Sequence, residues 1–351
     1  MSATGLRRLG PSDLHVSPLC FGGNVFGWTA DEATSFALLD EYVRAGGNFV
    51  DTADVYSAWA EGHSGGESES VIGRWLAARG RPDGLVLATK VGGHPDFQGL
   101  SDTNIRAAAD ASLRRLGVDT IDLYYAHFDD AETPLEESAR AFSDLVEAGK
   151  VRHIGLSNHS PERIAEWMDL CADRGLHAPV CVQPQYNLVE RGIESDLVPL
   201  AKERELSLLP YFGLARGFLT GKYRKGGAEV DSPRAGKAWD YLEEPRGERV
   251  LAELDRISAE HGTTQAAVAL AWLVDRPGVT SVLASARDLG QLEGLLPVTE
   301  LRLTAEESEA LTAASDCPPP PAAAPSGCVQ EFVHERGDLL HGHEEPVVAV
   351  G

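Results

Sequence analysis

Asp51, Tyr56, Lys90 and His127 are the residues whose types could do chemistry together. A lysine beside an aspartate is held as a cation, and a cation near a phenol stabilises phenolate and makes the tyrosine a better acid. His127 at the same place can hold and orient a substrate oxygen. Together the four describe reduction of a carbonyl, in which hydride reaches carbon while the Tyr56 phenol protonates oxygen. Side chains carry no hydride, so a nicotinamide cofactor is implied. Singly, each residue has an ordinary role: Asp51 as a turn residue, Tyr56 as a packed aromatic, Lys90 as a solvated strand terminus, His127 as a satisfied core histidine. Joint placement is what carries the reading.

That placement comes from short apolar runs. Asn48-Phe49-Val50 precedes Asp51, Leu85 to Thr89 precedes Lys90, and Ile121 to Ala126 precedes His127. Similar runs end near Gly22 and at Ser157, Gln183, Tyr211 and Ser285, which makes eight. Between them lie amphipathic segments, Asp31 to Ala45, Glu67 to Leu76, Asp102 to Leu116, Pro134 to Ala148, Pro161 to Arg174, Leu197 to Arg204 and Gly247 to Glu260. Strands alternating with helices read as repeated βα units and a parallel sheet. Eight of them in a chain of 351 residues predict an α/β fold, a (β/α)8 TIM barrel in a single domain. An open doubly wound sheet ranks second, because Gly22-Gly23-Asn24 lacks the spacing of a G-x-G-x-x-G phosphate fingerprint.

Composition narrows the function. A formal charge of -23 repels nucleic acid and anionic membranes, so the expected partner is a small-molecule carbonyl or alcohol, with oligomeric state open. No stretch has the length of a membrane span and residues 1–8 hold no apolar signal core, so a cytoplasmic address is expected. Five cysteines, Cys20, Cys171, Cys181, Cys317 and Cys328, form no C-x-x-C and read as reduced thiols. Two regions break the rhythm: residues 221–247, rich in Gly, Pro and charge, read as a mobile cover over the site, and residues 318–351 as a Pro/Ala-rich extension beyond a barrel of residues 1–317. His341 and His343 in that extension read as incidental, and no metal is expected.

Four stretches carry a family likeness. Asn48-Phe49-Val50-Asp51-Thr52-Ala53-Asp54-Val55-Tyr56, Ala88-Thr89-Lys90, Ile121 to His127, and Gly149 to Asn158 closely resemble aldo-keto reductase signatures, in order and spacing, within a match from about Leu9 to Ala314. The resemblance implies an NADPH-dependent oxidoreductase that reduces an aldehyde or ketone to an alcohol, reversibly. Tyr56 is then the general acid, Lys90 and Asp51 tune it, and His127 orients the carbonyl. It also implies that Ser157, Asn158 and Gln183 hold the nicotinamide carboxamide, which both donates and accepts hydrogen bonds, and that the ring stacks on Tyr211. Tyr211 to Lys222, including Phe212, Gly213, Leu214, Arg216 and Lys222, resembles a pyrophosphate-wrapping loop; Ser285, Arg287 and Gln291 resemble the adenosine side. Gly22, Gly23 and Asn24, with Asp51, complete the expected cofactor contacts. Arg287 would favour NADP(H) over NAD(H), which stays possible. Gly294 and Leu295 stand where the family often has an acid and an amide, and Leu283-Ala284 where it often has Pro-Gly.

Trp28, Trp59 and Phe128 on rim loops predict an aromatic-walled substrate pocket. Two other readings compete. A barrel with a complete tetrad can serve as a cofactor-binding regulatory subunit with slow or no turnover. Gly62-His63-Ser64-Gly65-Gly66 matches G-x-S-x-G, but a nucleophile elbow needs a strand directly before it, and Ser57 to Glu61 is none.

Overall fold

The computed structural model describes residues 5–316, apart from 228–229 and 231–234. All eight apolar runs contribute strands: β1 Leu19–Gly22, β2 Phe49–Asp51, β3 Val86–Val91, β4 Ile121–Ala126, β5 Val151–Ser157, β6 Cys181–Gln183, β7 Ser207–Leu208 and β8 Val282–Ala284. β3 and β4 are buried at every residue, as strands covered on both faces must be. The strands pair in parallel in the order β7-β6-β5-β4-β3-β2-β1-β8. The two ends of that row then join: Leu208 N donates to Gly278 O at 2.8 Å, Thr280 N to Leu208 O at 3.0 Å, and Leu283 N to Pro210 O at 2.9 Å. The sheet is therefore a closed barrel, and the open-sheet alternative falls.

Helices α1 Glu32–Arg44, α2 Glu67–Arg79, α3 Asp102–Leu116, α4 Leu135–Glu147, α5 Pro161–Arg174 and α6 Leu197–Glu203 follow the first six strands in turn. Their starts are the expected capping residues: Asp31, Ser101 and Ser160 each accept a backbone N–H with the side chain. Between β7 and β8 come α7 Ala235–Glu243, α8 Pro245–His261 and α9 Gln265–Val274; α10 Leu289–Leu295 and α11 Ala305–Ser315 follow β8.

Several boundaries differ from expectation. Residues 221–247, read from the sequence as a mobile cover, include α7, because Ala238 and Leu242 find buried positions there. The run at 206–210 gives only two strand residues, since Pro210 has no N–H for the ladder. α9 has no sequence counterpart: residues 266–274 are buried on every side, so it lacks the polar face that reveals a surface helix. The extension 318–351, with His341 and His343, lies outside the described residues.

Inside the barrel, Cys20, Phe49, Val86, Ala88, Leu123, Tyr125, Cys181, Leu209 and Leu283 form one apolar cluster. An N-terminal hairpin, Arg7–Arg8 against His15–Val16, adds Leu9, Leu14 and Val16 to it and stops the end where the strands begin. The tetrad lies at the opposite rim. There the register aligns Gly22 with Asp51, Asp51 with Ala88, Lys90 with Tyr125, and Ser157 with Gln183.

Candidate active site

Lys90 enters the barrel from β3 with its ammonium fully buried, and three oxygens surround it. Nζ donates to Asp51 Oδ1 at 2.5 Å, to Thr52 O at 2.8 Å and to the Tyr56 hydroxyl at 2.9 Å. The hydroxyl also lies 3.4 Å from Asp51 Oδ1. Asp51 Oδ2 accepts from Gln183 Nε2 at 2.9 Å, so this fully buried carboxylate is satisfied on both oxygens. His127 stands across from the phenol, ring centres 6.1 Å apart and nearly perpendicular at 72°. All four tetrad residues thus meet at the rim where β2, β3 and β4 end.

Burial and charge compete here. Dehydration disfavours the Lys90 ammonium, but Asp51 and then Tyr56 outweigh it and hold Lys90 above its ordinary value. For Tyr56, burial pushes the phenol up, Lys90 pulls it down and Asp51 pushes it up again, leaving it at about 12. The sequence-based expectation that Lys90 makes Tyr56 more acidic than an ordinary phenol is therefore corrected. Lys90 does act in that direction, but dehydration of the phenolate is the larger effect. Burial, and then the charge of Lys90, push His127 well below the ordinary imidazole range, so it is neutral at pH 7. Its Nδ1 is buried and has no hydrogen-bond partner among the described residues.

A second chain of polar contacts runs round the same rim. Tyr211 hydroxyl donates to Asn158 Oδ1 at 2.8 Å, Asn158 Nδ2 to His127 O at 2.9 Å and to Ser157 Oγ at 3.1 Å, and Ser157 Oγ to Gln183 O at 2.9 Å. Ser157, Asn158, Gln183 and Tyr211 are thus one connected set, joined to the tetrad through Asp51 and His127. Beyond Tyr211 the backbone turns left-handed at Phe212, Ala215, Arg216 and Gly217, with φ of 51°, 47°, 58° and 96°. Gly213 and Leu214 lie inside this turn, and a Cβ on Gly213 would sit 2.9 Å from Leu270. The Arg216 guanidinium lies over the Phe212 ring at 4.3 Å, and Lys222 Nζ lies 5.2 Å from the Tyr223 ring centre.

On the third side, β8 meets β1. Ser285 Oγ donates to Asn24 Oδ1 at 2.5 Å, a Cβ on Gly22 would sit 2.6 Å from that Oγ, and Gly23 N donates to Asp51 O at 2.7 Å. Gln291 turns inward to its own loop, where Oε1 accepts the Arg287 N–H at 3.0 Å.

The predicted aromatic wall also assembles. Trp28 and Trp59 meet edge to face at 5.6 Å, Trp59 lies 6.1 Å from the Tyr56 ring, and Phe128 stacks on His127 at 4.4 Å and 15°. Ser64, by contrast, is exposed in the loop before α2, its N–H bonded to Glu67 Oε1 at 2.8 Å, and no strand leads into it. The structural requirement for a nucleophile elbow is not met there.

Sequence reasoning missed three contributors. The Thr52 carbonyl acts through its backbone, which residue type does not reveal. Asn187, fully buried, donates through Nδ2 to Phe212 O at 2.9 Å and so supports the left-handed turn. The Tyr125 ring lies 5.7 Å from Lys90 Nζ within the barrel, and its place on β4 beside Lys90 was the available signal.

With the geometry in hand, the comparison with known proteins is decisive: the model of the aldo/keto reductase family matches residues 18–316. The chain belongs to the aldo/keto reductase family. Among relatives of this aldo/keto reductase, an uncharacterized oxidoreductase, YrpG, of Bacillus subtilis is 36% identical over 85% of this chain and 92% of its own length. Norsolorinic acid reductase B of Aspergillus parasiticus is 30% identical over 89% and 85%. A probable voltage-gated potassium channel subunit beta of Oryza sativa is 34% identical over 82% and 88%. Membership makes the protein an oxidoreductase of the carbonyl-reducing kind.

Proposed function

We propose that this aldo/keto reductase reduces an aldehyde or ketone to an alcohol, reversibly, with NADPH as hydride source and Tyr56 as proton donor. The observation that carries the reading is Lys90 Nζ, fully buried and bonded at once to Asp51, Thr52 O and Tyr56. That arrangement fixes the phenol and stabilises the negative charge it acquires as its proton leaves.

The residues present suit a nicotinamide. Ser157, Asn158 and Gln183 offer the mixed donors and acceptors a carboxamide requires, and the Tyr211 ring is held in place by its bond to Asn158. When bound, a reduced nicotinamide supplies hydride. Tyr211 would stack on its ring, the left-handed turn from Phe212 to Gly217 would offer backbone and Arg216 to a pyrophosphate, and Arg287 would meet a 2'-phosphate. Gly22, Gly23, Asn24, Ser285, Gln291, Leu214 and Lys222 complete the cofactor's surroundings. Neutral His127 orients the carbonyl oxygen toward the Tyr56 hydroxyl, and Trp28, Trp59 and Phe128 hold the carbonyl's apolar part.

The strongly acidic chain, at -23, argues against nucleic acid as partner, and among the described residues no helix is long and apolar enough to cross a membrane. Cys20, Cys171 and Cys181 are buried free thiols, which suits a cytoplasmic address.

A regulatory-subunit role is the second reading, motivated by the relative named as a potassium channel subunit. Turnover with NADPH, measured across aldehydes and ketones, separates the two. Carbonyl-dependent oxidation of NADPH is expected, and tight NADPH binding without turnover on any carbonyl contradicts the proposal.

A further inference from the structure

Opposite the tetrad, on the other face of β3, lies a buried polar layer that the reduction does not use. Side chains alternate along a strand, so Lys90 points to the tetrad and Thr89 away from it. Thr89 Oγ1 donates to Glu69 of α2 at 2.6 Å, and Glu69, fully buried, pairs with Arg115 of α3 at 2.6 Å. Asp54 sits on the turn between Asp51 and Tyr56, its N–H donating to Lys90 O at 3.2 Å. It is 0% exposed, and neither carboxyl oxygen has a hydrogen-bond partner among the described residues. The Tyr124 hydroxyl of β4 is likewise buried without a partner among them.

The charges around Asp54 balance without it. Asp51 and Lys90 cancel on one face of β3, and Glu69 and Arg115 cancel on the other. Tyr124 is kept neutral by burial. His94, in the loop after β3, lies beside Gly65, where a Cβ would sit 2.5 Å from its ring and 3.0 Å from Asp54 O. Burial, and then Arg115, push that imidazole below its ordinary value. Among the described residues, an ionised Asp54 would thus be an uncompensated charge in the layer, and a buried charge in that position takes up a proton instead.

We propose that Asp54 carries a proton at neutral pH, and that this proton leaves Asp51, among the described residues, as the carboxylate acting on Lys90 and Tyr56. The titratable groups around it are Glu69 from α2, Arg115 from α3, Lys90 from β3, Tyr124 from β4 and His94 from the loop. Burial, and then Glu69, push Asp54 well above the usual carboxylate range, further than Arg115, the backbone at Val55 and Lys90 pull it back. On ionising, Asp54 adds a second anion behind Lys90, across β3 from the tetrad, within reach of its charge. Tyr56 then holds its proton more tightly, as Asp51 already makes it do. This role rests on Tyr56 being the proton donor, whereas the protonation itself does not.

The test compares the full chain with Asp54→Asn. Infrared difference spectra at pH 7 should show the carbonyl stretch of a protonated carboxyl in the wild type and not in the variant. Proton linkage gives an independent reading. An aspartate in the unfolded chain ionises near pH about 4, while folded Asp54 keeps its proton, so the wild type loses stability relative to Asp54→Asn as pH rises from there. The difference in Tm should therefore grow between about pH 4 and 7. In kcat/KM for carbonyl reduction with NADPH, the alkaline fall of the wild type should coincide with fading of the infrared band. In Asp54→Asn that fall should lie about one pH unit or more higher. A missing band, or a Tm difference flat with pH, overturns the protonation. A band with superimposable pH profiles overturns the role, and a band with no carbonyl turnover at all overturns the role together with the reductase reading.

Discussion

The distinction between charge and dehydration decides what Lys90 does for Tyr56. Because burial already holds the phenol at about 12, removing Lys90 sends it higher, away from the value near 10 of a solvated phenol. Lys90→Met is expected to lower carbonyl reduction by about 10² to 10⁴, the usual worth of a positioned proton donor. Its pH profile should show no phenol titration near pH about 10, and such a titration would mean that dehydration is not the dominant effect. The tetrad was legible in the sequence because Asp51, Lys90 and His127 each follow an apolar run, and strand ends share a rim. The depth of Tyr56 was not, since it depends on helices and loops distant in sequence, so the net direction of its shift could not be read.

At the scale of elements, the barrel's interior must admit the Tyr125 ring beside Lys90. Gly155 on β5 makes that room: a Cβ there would lie 2.5 Å from the Tyr125 ring and 3.0 Å from Cys181 Sγ. Gly155→Ala should destabilise by about 1–3 kcal/mol, the cost of overpacking a filled core, read as a lower midpoint in chemical denaturation. An unchanged midpoint would show that the ring has free space to move. Strand and helix alternation was plain from short apolar runs separated by amphipathic segments of 3.6-residue period along most of the chain. It failed at α9, where uniform burial erases the helical stripe, at α7, where a segment rich in Gly, Pro and charge still finds an apolar seat for Ala238 and Leu242, and at α10 and α11, which had no counterpart in the sequence reading.

For the whole molecule, closure of the barrel leaves α11 as the last described helix to be secured. Arg191, in the loop after β6, does this with one guanidinium. Nη1 donates to Thr312 O at 3.0 Å, Ser315 Oγ at 2.9 Å and Asp316 Oδ1 at 2.7 Å, while Nε and Nη2 each meet Glu194 at 2.9 Å. Arg191→Met keeps much of the apolar stem and should cost about 1.5–3 kcal/mol, the range for hydrogen bonds to a charged group. Hydrogen exchange should quicken in α11 before the barrel strands. Equal protection in both proteins would show that packing alone holds the helix. These long-range ties, like the closing bonds between Leu208 and residues 278–280, join positions that no local pattern relates. Length and the count of eight runs nonetheless predicted the architecture they complete.

The central claim is that Tyr56 gives its proton to a carbonyl oxygen while a nicotinamide supplies hydride. Single-turnover oxidation of bound NADPH by a carbonyl substrate, compared between the wild type and Tyr56→Phe with NADPH affinity measured alongside, tests it most directly. Loss of hydride transfer by about 10² or more with NADPH binding retained is the predicted result, since only the donor hydroxyl is removed. Hydride transfer at the wild-type rate in Tyr56→Phe would contradict the mechanism.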